Sequence, residues 1–185
     1  MKPEGCIDAI LRSLKDVDEL SEFSFVNREP DTSGENSDIR LPAIVVQTIS
    51  NIRIDNHNTD LVEYITDEDG EDAAARFVAE YDNEFQLDVW TAAQSGYSPD
   101  EIGETVRDRL YTHDKAILDE PFVDESGDPI DTIWNFRVGD GSREDDLTMS
   151  HSLRRWRQEL FLTAADEFTV EYPIIEEVNQ FQEVN

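Results

Sequence analysis

Lysine, cysteine, histidine and long apolar stretches are all scarce in this 185-residue chain, and each scarcity excludes something. The single cysteine, Cys6, cannot close an internal disulfide and supports no cysteine-based metal site. It reads as a small apolar residue. The three histidines, His57, His113 and His151, lie far apart, and none stands in a HExxH arrangement. The longest apolar run is the four residues Ala43 to Val46, far short of the ~20 that a membrane-spanning helix needs, so no membrane partner is expected. The opening MKPEGCIDAI shows no charged-then-apolar leader, and no export signal is read in it. Lysine occurs only three times (Lys2, Lys15, Lys115), and no basic stripe of the kind phosphate binding requires is present.

Catalytic patterns are missing as well. There is no GxSxG, and Gly139-Asp140-Gly141 lacks the flanking spacing and the lysine of a phosphate-binding loop. The stretch TDEDGED, 66 to 72, has the acids of a calcium loop. In the EF-hand register, however, the first ligand position falls on Ile65 and the last on Arg76. With 44 acidic residues, two neighbouring carboxylates arise by chance and mark no acid–base pair. The expectation is a non-enzymatic protein with no catalytic residue, no metal and no cofactor.

What is abundant is negative charge: 44 Asp and Glu against 15 Lys and Arg, for a net charge of −29. A basic partner, disorder and a salty solvent are three readings of it. The acids are interleaved with apolar residues, as in Phe77-Val-Ala-Glu-Tyr-Asp-Asn-Glu-Phe-Gln-Leu-Asp-Val-Trp90, which argues against a disordered tail. Arginine outnumbers lysine 12 to three, and Asp outnumbers Glu 23 to 21. That composition resembles the cytosolic proteins of salt-in halophiles. In ~1 M salt the Debye length is about 3 Å, so the self-repulsion is screened.

The hydrophobic pattern implies one α+β domain over residues 1–172, an antiparallel β-sheet with helices packed on one face. Ile7, Ile10, Leu11, Leu14 and Val17 form one face of a helix over 3–20. A polar loop (29–38) leads to a strand over 41–54 and, after a second loop (55–60), to a short strand over 61–65. These two strands are expected to pair as a hairpin. Strict alternation marks a long half-buried strand over 76–90, kinked near Asp82-Asn83. Ser98-Pro-Asp-Glu101 signals a helix start, and Ile102, Val106 and Leu110 form its buried stripe. Alternation from Ile130 to Val138 gives another strand, with GDGSREDD (139–146) as a connection. The segments 155–163 and 168–172 read as a final antiparallel pair turning around 164–167. Residues 173–185, with Ile174, Val178 and Phe181 at helical spacing, read as a tail or short docking helix.

One cluster breaks the charge pattern. Leu153-Arg-Arg-Trp-Arg157 holds three of the twelve arginines. On a strand, Arg155 and Arg157 share one face and Arg154 and Trp156 the other. They serve either as internal partners for the surplus acids or as contacts to an acidic neighbour such as another copy of the chain.

The order of an N-terminal amphipathic helix, a strand opening Leu41-Pro42-Ala43-Ile44, and a long strand ending Phe85-Gln-Leu-Asp-Val-Trp-Thr91 forms a pattern. A helix with Glu101-Ile102 and Val106…Leu110 follows, then closing strands from Arg155 to Leu162. Over residues 5–172 this resembles the tail-terminator (tail-completion, head–tail joining) proteins of tailed viruses. The acidic composition adds a virus of a halophilic archaeon. The chain departs from the pattern by acidic insertions at 29–38, 66–72 and 119–131. The resemblance implies a virion protein of the neck and tail, assembled in the host cytoplasm. Its copies form a ring, usually a hexamer, that caps the tail tube protein and meets the head-side connector proteins. Genomic DNA passes through the lumen without specific binding. The interface candidates are Arg154, Arg155, Arg157, Trp156, Phe85, Leu87 and Trp90. A head-completion adaptor or stopper ring of the same neck is the near alternative. An acidic DNA-mimic binding module is the distant one.

Overall fold

In the computed structural model, residues 3–27, 40–53, 59–66, 72–92, 95–144 and 153–171 are described. Helix α1 (Pro3–Lys15) and a 3₁₀ turn (Asp18–Leu20) precede strands β1 (Ser24–Val26), β2 (Ala43–Arg53), β3 (Thr59–Thr66) and β4 (Asp72–Ala92). Helix α2 (Pro99–Tyr111) and strands β5 (Ile133–Arg143) and β6 (Leu153–Glu171) complete them. The expected loop at 29–38, the first part (55–58) of the loop expected over 55–60, and the C-terminal segment 173–185 lie outside the described residues, while Thr59 and Asp60 already belong to β3.

Two long strands organise the sheet. β4 has 21 residues, about 70 Å at ~3.3 Å per residue, and pairs antiparallel with β6 from Ala74↔Glu171 to Ala92↔Leu153. Neither segment contains proline or glycine. Alternating aromatic and branched residues keep both extended, with nothing to turn the chain. This corrects the expected turn at 164–167. Ala164 to Glu167 simply continue the ladder opposite Tyr81 to Val78, so 155–163 and 168–172 belong to one strand. The expected kink at Asp82-Asn83 is also absent from the β4–β6 ladder. The irregularity sits across the other edge of β4, between Thr48 and Ser50 of β2.

The strand order is β1-β2-β4-β6-β5, with β3 also on β4. All pairs are antiparallel except β1–β2. β2 lies along Tyr81–Trp90 of β4, and β3 lies along Asp72–Ala79 of the same edge. The two strands therefore sit end to end, and the expected hairpin between them is replaced by two separate pairings with β4. A strand this long has edge enough for both.

Both helices cover one face, as the α+β pattern requires. Phe85, Leu87 and Val89 of β4, with Trp156, Leu160 and Leu162 of β6, pack beneath Ile10 and Leu14 of α1 and Val106 and Leu110 of α2. α1 stops at Lys15, short of the expected residue 20, and Leu20 reaches the core from the 3₁₀ turn. α2 starts at Pro99 behind Ser98 as expected. The Ser98 side chain makes no capping bond, and its carbonyl accepts the Ile102 N–H at 3.1 Å. β5 runs on to Arg143, through most of the expected connection at 139–146. Glycine permits this: a Cβ on Gly141 would sit 2.6 Å from Trp156 Cζ2, so only glycine lets β5 lie this close to the indole.

Candidate assembly surface

β6 runs beyond the stretch that β5 pairs with. β5 pairs with β6 only between Trp156 and Ala164, and the last bond on this side runs from the Ala165 N–H to the Thr132 carbonyl, at 2.8 Å. From Glu167 to Glu171 the outer edge of β6 pairs with no strand among the described residues. By the alternation of an antiparallel strand, the N–H and C=O of Glu167, Thr169 and Glu171 point outward there. In this extension Tyr64 of β3, Ala75 of β4 and Val170 of β6 form one cross-strand row. They stand on the side the helices occupy, yet Tyr64 is 54% and Val170 44% exposed. Ala75, between them, is fully buried.

The edge of β5 is treated differently. Lys115 donates its backbone N–H to the Phe136 carbonyl at 3.1 Å and its Nζ to the Trp134 carbonyl at 2.9 Å. Asp114 Oδ2 accepts the Val138 N–H at 2.9 Å, while its Oδ1 accepts that of Ala116. The chain thus caps this edge with its own loop, a usual defence against unwanted strand pairing. Among the described residues no such strap reaches the end of β6.

The arginine cluster divides in two. Arg155 and Arg157 share the helix-free face, and both reach the fully buried carboxylate of Asp88. Arg155 does so with two bonds, Nε to Oδ1 at 2.9 Å and Nη2 to Oδ2 at 2.5 Å. Arg157 lies at 3.4 Å and also reaches Glu144 at 2.9 Å. Gln86 donates to Asp88 Oδ2 at 2.8 Å, and the Arg155 guanidinium lies over the Trp90 ring at 4.7 Å. Of the two roles open to these arginines, the structure places Arg155 and Arg157 in internal pairing. Arg154 points the other way and has no carboxylate partner among the described residues.

The remaining interface candidates are reassigned by burial. Phe85, Leu87 and Trp156 are enclosed in the chain's own core, and Trp90 is covered with Ala43 and Val45 in a small cluster on the opposite face. Side chains so enclosed offer a neighbour no surface in this conformation. Neither Asp88 nor Asp114 is marked by its sequence neighbourhood. Asp88 has the same place in the alternation as Glu84 and Asp82, and only its arginine partners set it apart.

On the helix-free face two cross-strand rows line a cleft of about 440 Å³. One row runs Ser50, Glu84, Phe161, Arg137, and the next runs Ile52, Asp82, Thr163, Asn135. Thr163 donates to Asp82 at 2.8 Å and Ser50 to Glu84 at 3.3 Å. Arg137 lies over Phe161 at 5.1 Å and pairs with no carboxylate among the described residues. A second cleft, of about 400 Å³, opens beside His113 and Trp134. His113 is buried, stacks on Phe122 at 4.1 Å, and its Nδ1 bonds the Glu120 carbonyl at 2.9 Å. Burial is the main cause that lowers its pKa below 6.5, with the nearby Arg109 charge adding to it.

Among the described residues no three metal-ligating side chains converge, and no helix is long and apolar enough to cross a membrane. Compared with known protein families and with curated proteins, the sequence matches none.

Proposed function

We propose that this chain is a non-enzymatic virion protein of the tail-terminator kind, working as a ring in the neck of a tailed virus. The observation that carries the reading is the outer edge of β6 from Glu167 to Glu171, which pairs with no strand among the described residues. Sheet edges left open in one place and strapped in another suit a protein that adds strands on purpose. Element order supports it too: a helix, β2 entered from Pro42, the long β4 ending in Asp88-Val-Trp90, α2, then β6. The ring, a hexamer in the tail-terminator pattern, caps the tail tube and meets the head-side connector. DNA passes through its lumen, repelled by the acidic surface. The charge of −29 fits a virus of a halophilic archaeon, where salt screens one copy from the next.

Electron microscopy of the purified protein in molar salt, alone and mixed with tail tubes, tests this. Rings seated on tube ends are expected. Rings that bind only the head side would move the protein to the adaptor or stopper position. A monomer that ignores tail tubes would overturn the reading, and capture of a DNA-binding protein by that monomer would favour the DNA-mimic alternative.

A further inference from the structure

We propose that the C-terminal segment 173–185 folds back as an amphipathic helix onto the far end of the sheet, on the side α1 and α2 occupy, and seats on Tyr64 and Val170. That seat is apolar and half in solvent, with Tyr64 54% and Val170 44% exposed on the face that carries the core. Ala75 between them offers only a methyl, so the two larger side chains are the walls of a shallow trough. The main apolar cluster runs along β6 from Trp156 to Ala164. Val170 lies about 20 Å beyond it, at ~3.3 Å per residue.

Composition selects the occupant. Of the longer segments outside the described residues, 67–71 has no large apolar side chain, and 28–39 and 54–58 have Ile39 and Ile54 alone. Segment 145–152 has Leu147 and Met149. Only the segment after β6 carries a stripe. Ile174, Val178 and Phe181 fall on one face of a helix, and Glu176, Gln180 and Glu183 on the opposite face. Pro173 lacks the N–H that a ladder uses and suits the first helical position, so the strand ends and the helix starts together.

Reach agrees with the seat. The segment starts beside Val170, because β6 ends at Glu171. A helix over 173–185 is about 20 Å long at ~1.5 Å per residue, the length of sheet between Val170 and Ala164. Lying back along the strands, it covers the exposed pair and turns its glutamates to solvent. Tethering favours the chain's own end over a second copy or a foreign partner, since a short tether holds it at an effective concentration on the order of millimolar.

Cysteine pairing tests the seat, in dilute protein and molar salt, so that the outcome does not depend on ring formation. In a Cys6→Ala background, Tyr64→Cys is combined in turn with Ile174→Cys, Val178→Cys, Phe181→Cys and, as the control, Gln180→Cys. A disulfide requires Cα atoms within ~7 Å. At least one pair from the apolar stripe is expected to close within a single chain, while the Gln180→Cys pair stays reduced. In the full chain without added cysteines, Phe181→Glu is expected to speed amide exchange at Ala75 by about tenfold or more, the effect of uncovering one large apolar side chain. Three results would overturn the proposal: no stripe pair closing, the control closing as readily, or bonds forming between chains instead of within one. Unchanged exchange at Ala75 in Phe181→Glu would overturn it as well.

Discussion

Asp88 of β4 and Arg155 of β6 form a two-pronged ion pair in which the carboxylate has no solvent exposure. They are not direct register partners: Arg155 faces Trp90 and Asp88 faces Arg157. The pair thus runs diagonally across the ladder and gathers both arginines onto one acid. Removing one member of a buried pair strands the other charge and costs about 3–5 kcal/mol. Asp88→Ala is therefore expected to lower stability by that amount, read from urea midpoints at constant salt. A change under about 1 kcal/mol would show that solvent reaches the guanidinium groups. The double variant Arg155→Glu, Arg157→Glu should fail by unfolding, so loss of assembly in it would say nothing about an interface.

Gly103 and Trp156 supply a second test. A Cβ on Gly103 would meet the indole Cδ2 at 2.3 Å, so α2 sits directly on the ring. Gly103→Ala should cost about 1–3 kcal/mol by overpacking, despite the gain in helix propensity. Gly96→Ala is the control: nothing lies within 4 Å of its Cβ position, and its midpoint should shift by no more than about 0.5 kcal/mol.

The strap over β5 rests on Asp114. Asp114→Ala leaves the Val138 and Ala116 N–H groups without their acceptor, at about 1–3 kcal/mol for each that stays buried. Amide hydrogen exchange at Val138 should accelerate, and the freed β5 edge should raise aggregation in molar salt. Slow exchange at Val138 in the variant would mean that other groups protect the edge.

His113 imposes a pH dependence whose sign is set by burial. The folded protein holds the ring neutral, with a pKa below 6.5, whereas the unfolded chain takes up a proton near 6.5. Stability is complete above pH 6.5 and is lost as pH falls from there toward the lowered folded value. The wild-type curve is compared with that of His113→Gln, which cancels what the two proteins share. Wild type should lose stability relative to the variant between pH 7 and pH 5. A flat difference would place the imidazole in water.

Under the proposed ring reading, assembly should strengthen steeply with salt, because every added copy would bring twenty-nine negative charges. Light scattering across a potassium chloride series is expected to show monomers at low salt and rings at molar salt. Rings that persist at low ionic strength would argue that the acids lie far from the contacts.

Local pattern alone determined a good deal of this protein. Alternation from Phe77 to Val89 marked a strand with its apolar parity inward, and Ser98-Pro99 with Ile102, Val106 and Leu110 marked α2, because side-chain periodicity follows directly from backbone geometry. The face shared by Arg155 and Arg157 was legible for the same reason. What periodicity cannot express is which strand lies beside which. The separate seats of β2 and β3 along β4, the unbroken run of β6 through Ala164, and the strap of Asp114 across β5 depend on partners distant in the chain. So does the difference between Asp88 and Glu84: both sit on the outward parity of β4, but only Asp88 meets two guanidinium groups and leaves the solvent. The acidic composition described the surface as a whole, and only tertiary pairing decided which few charges are buried and which strands lie side by side.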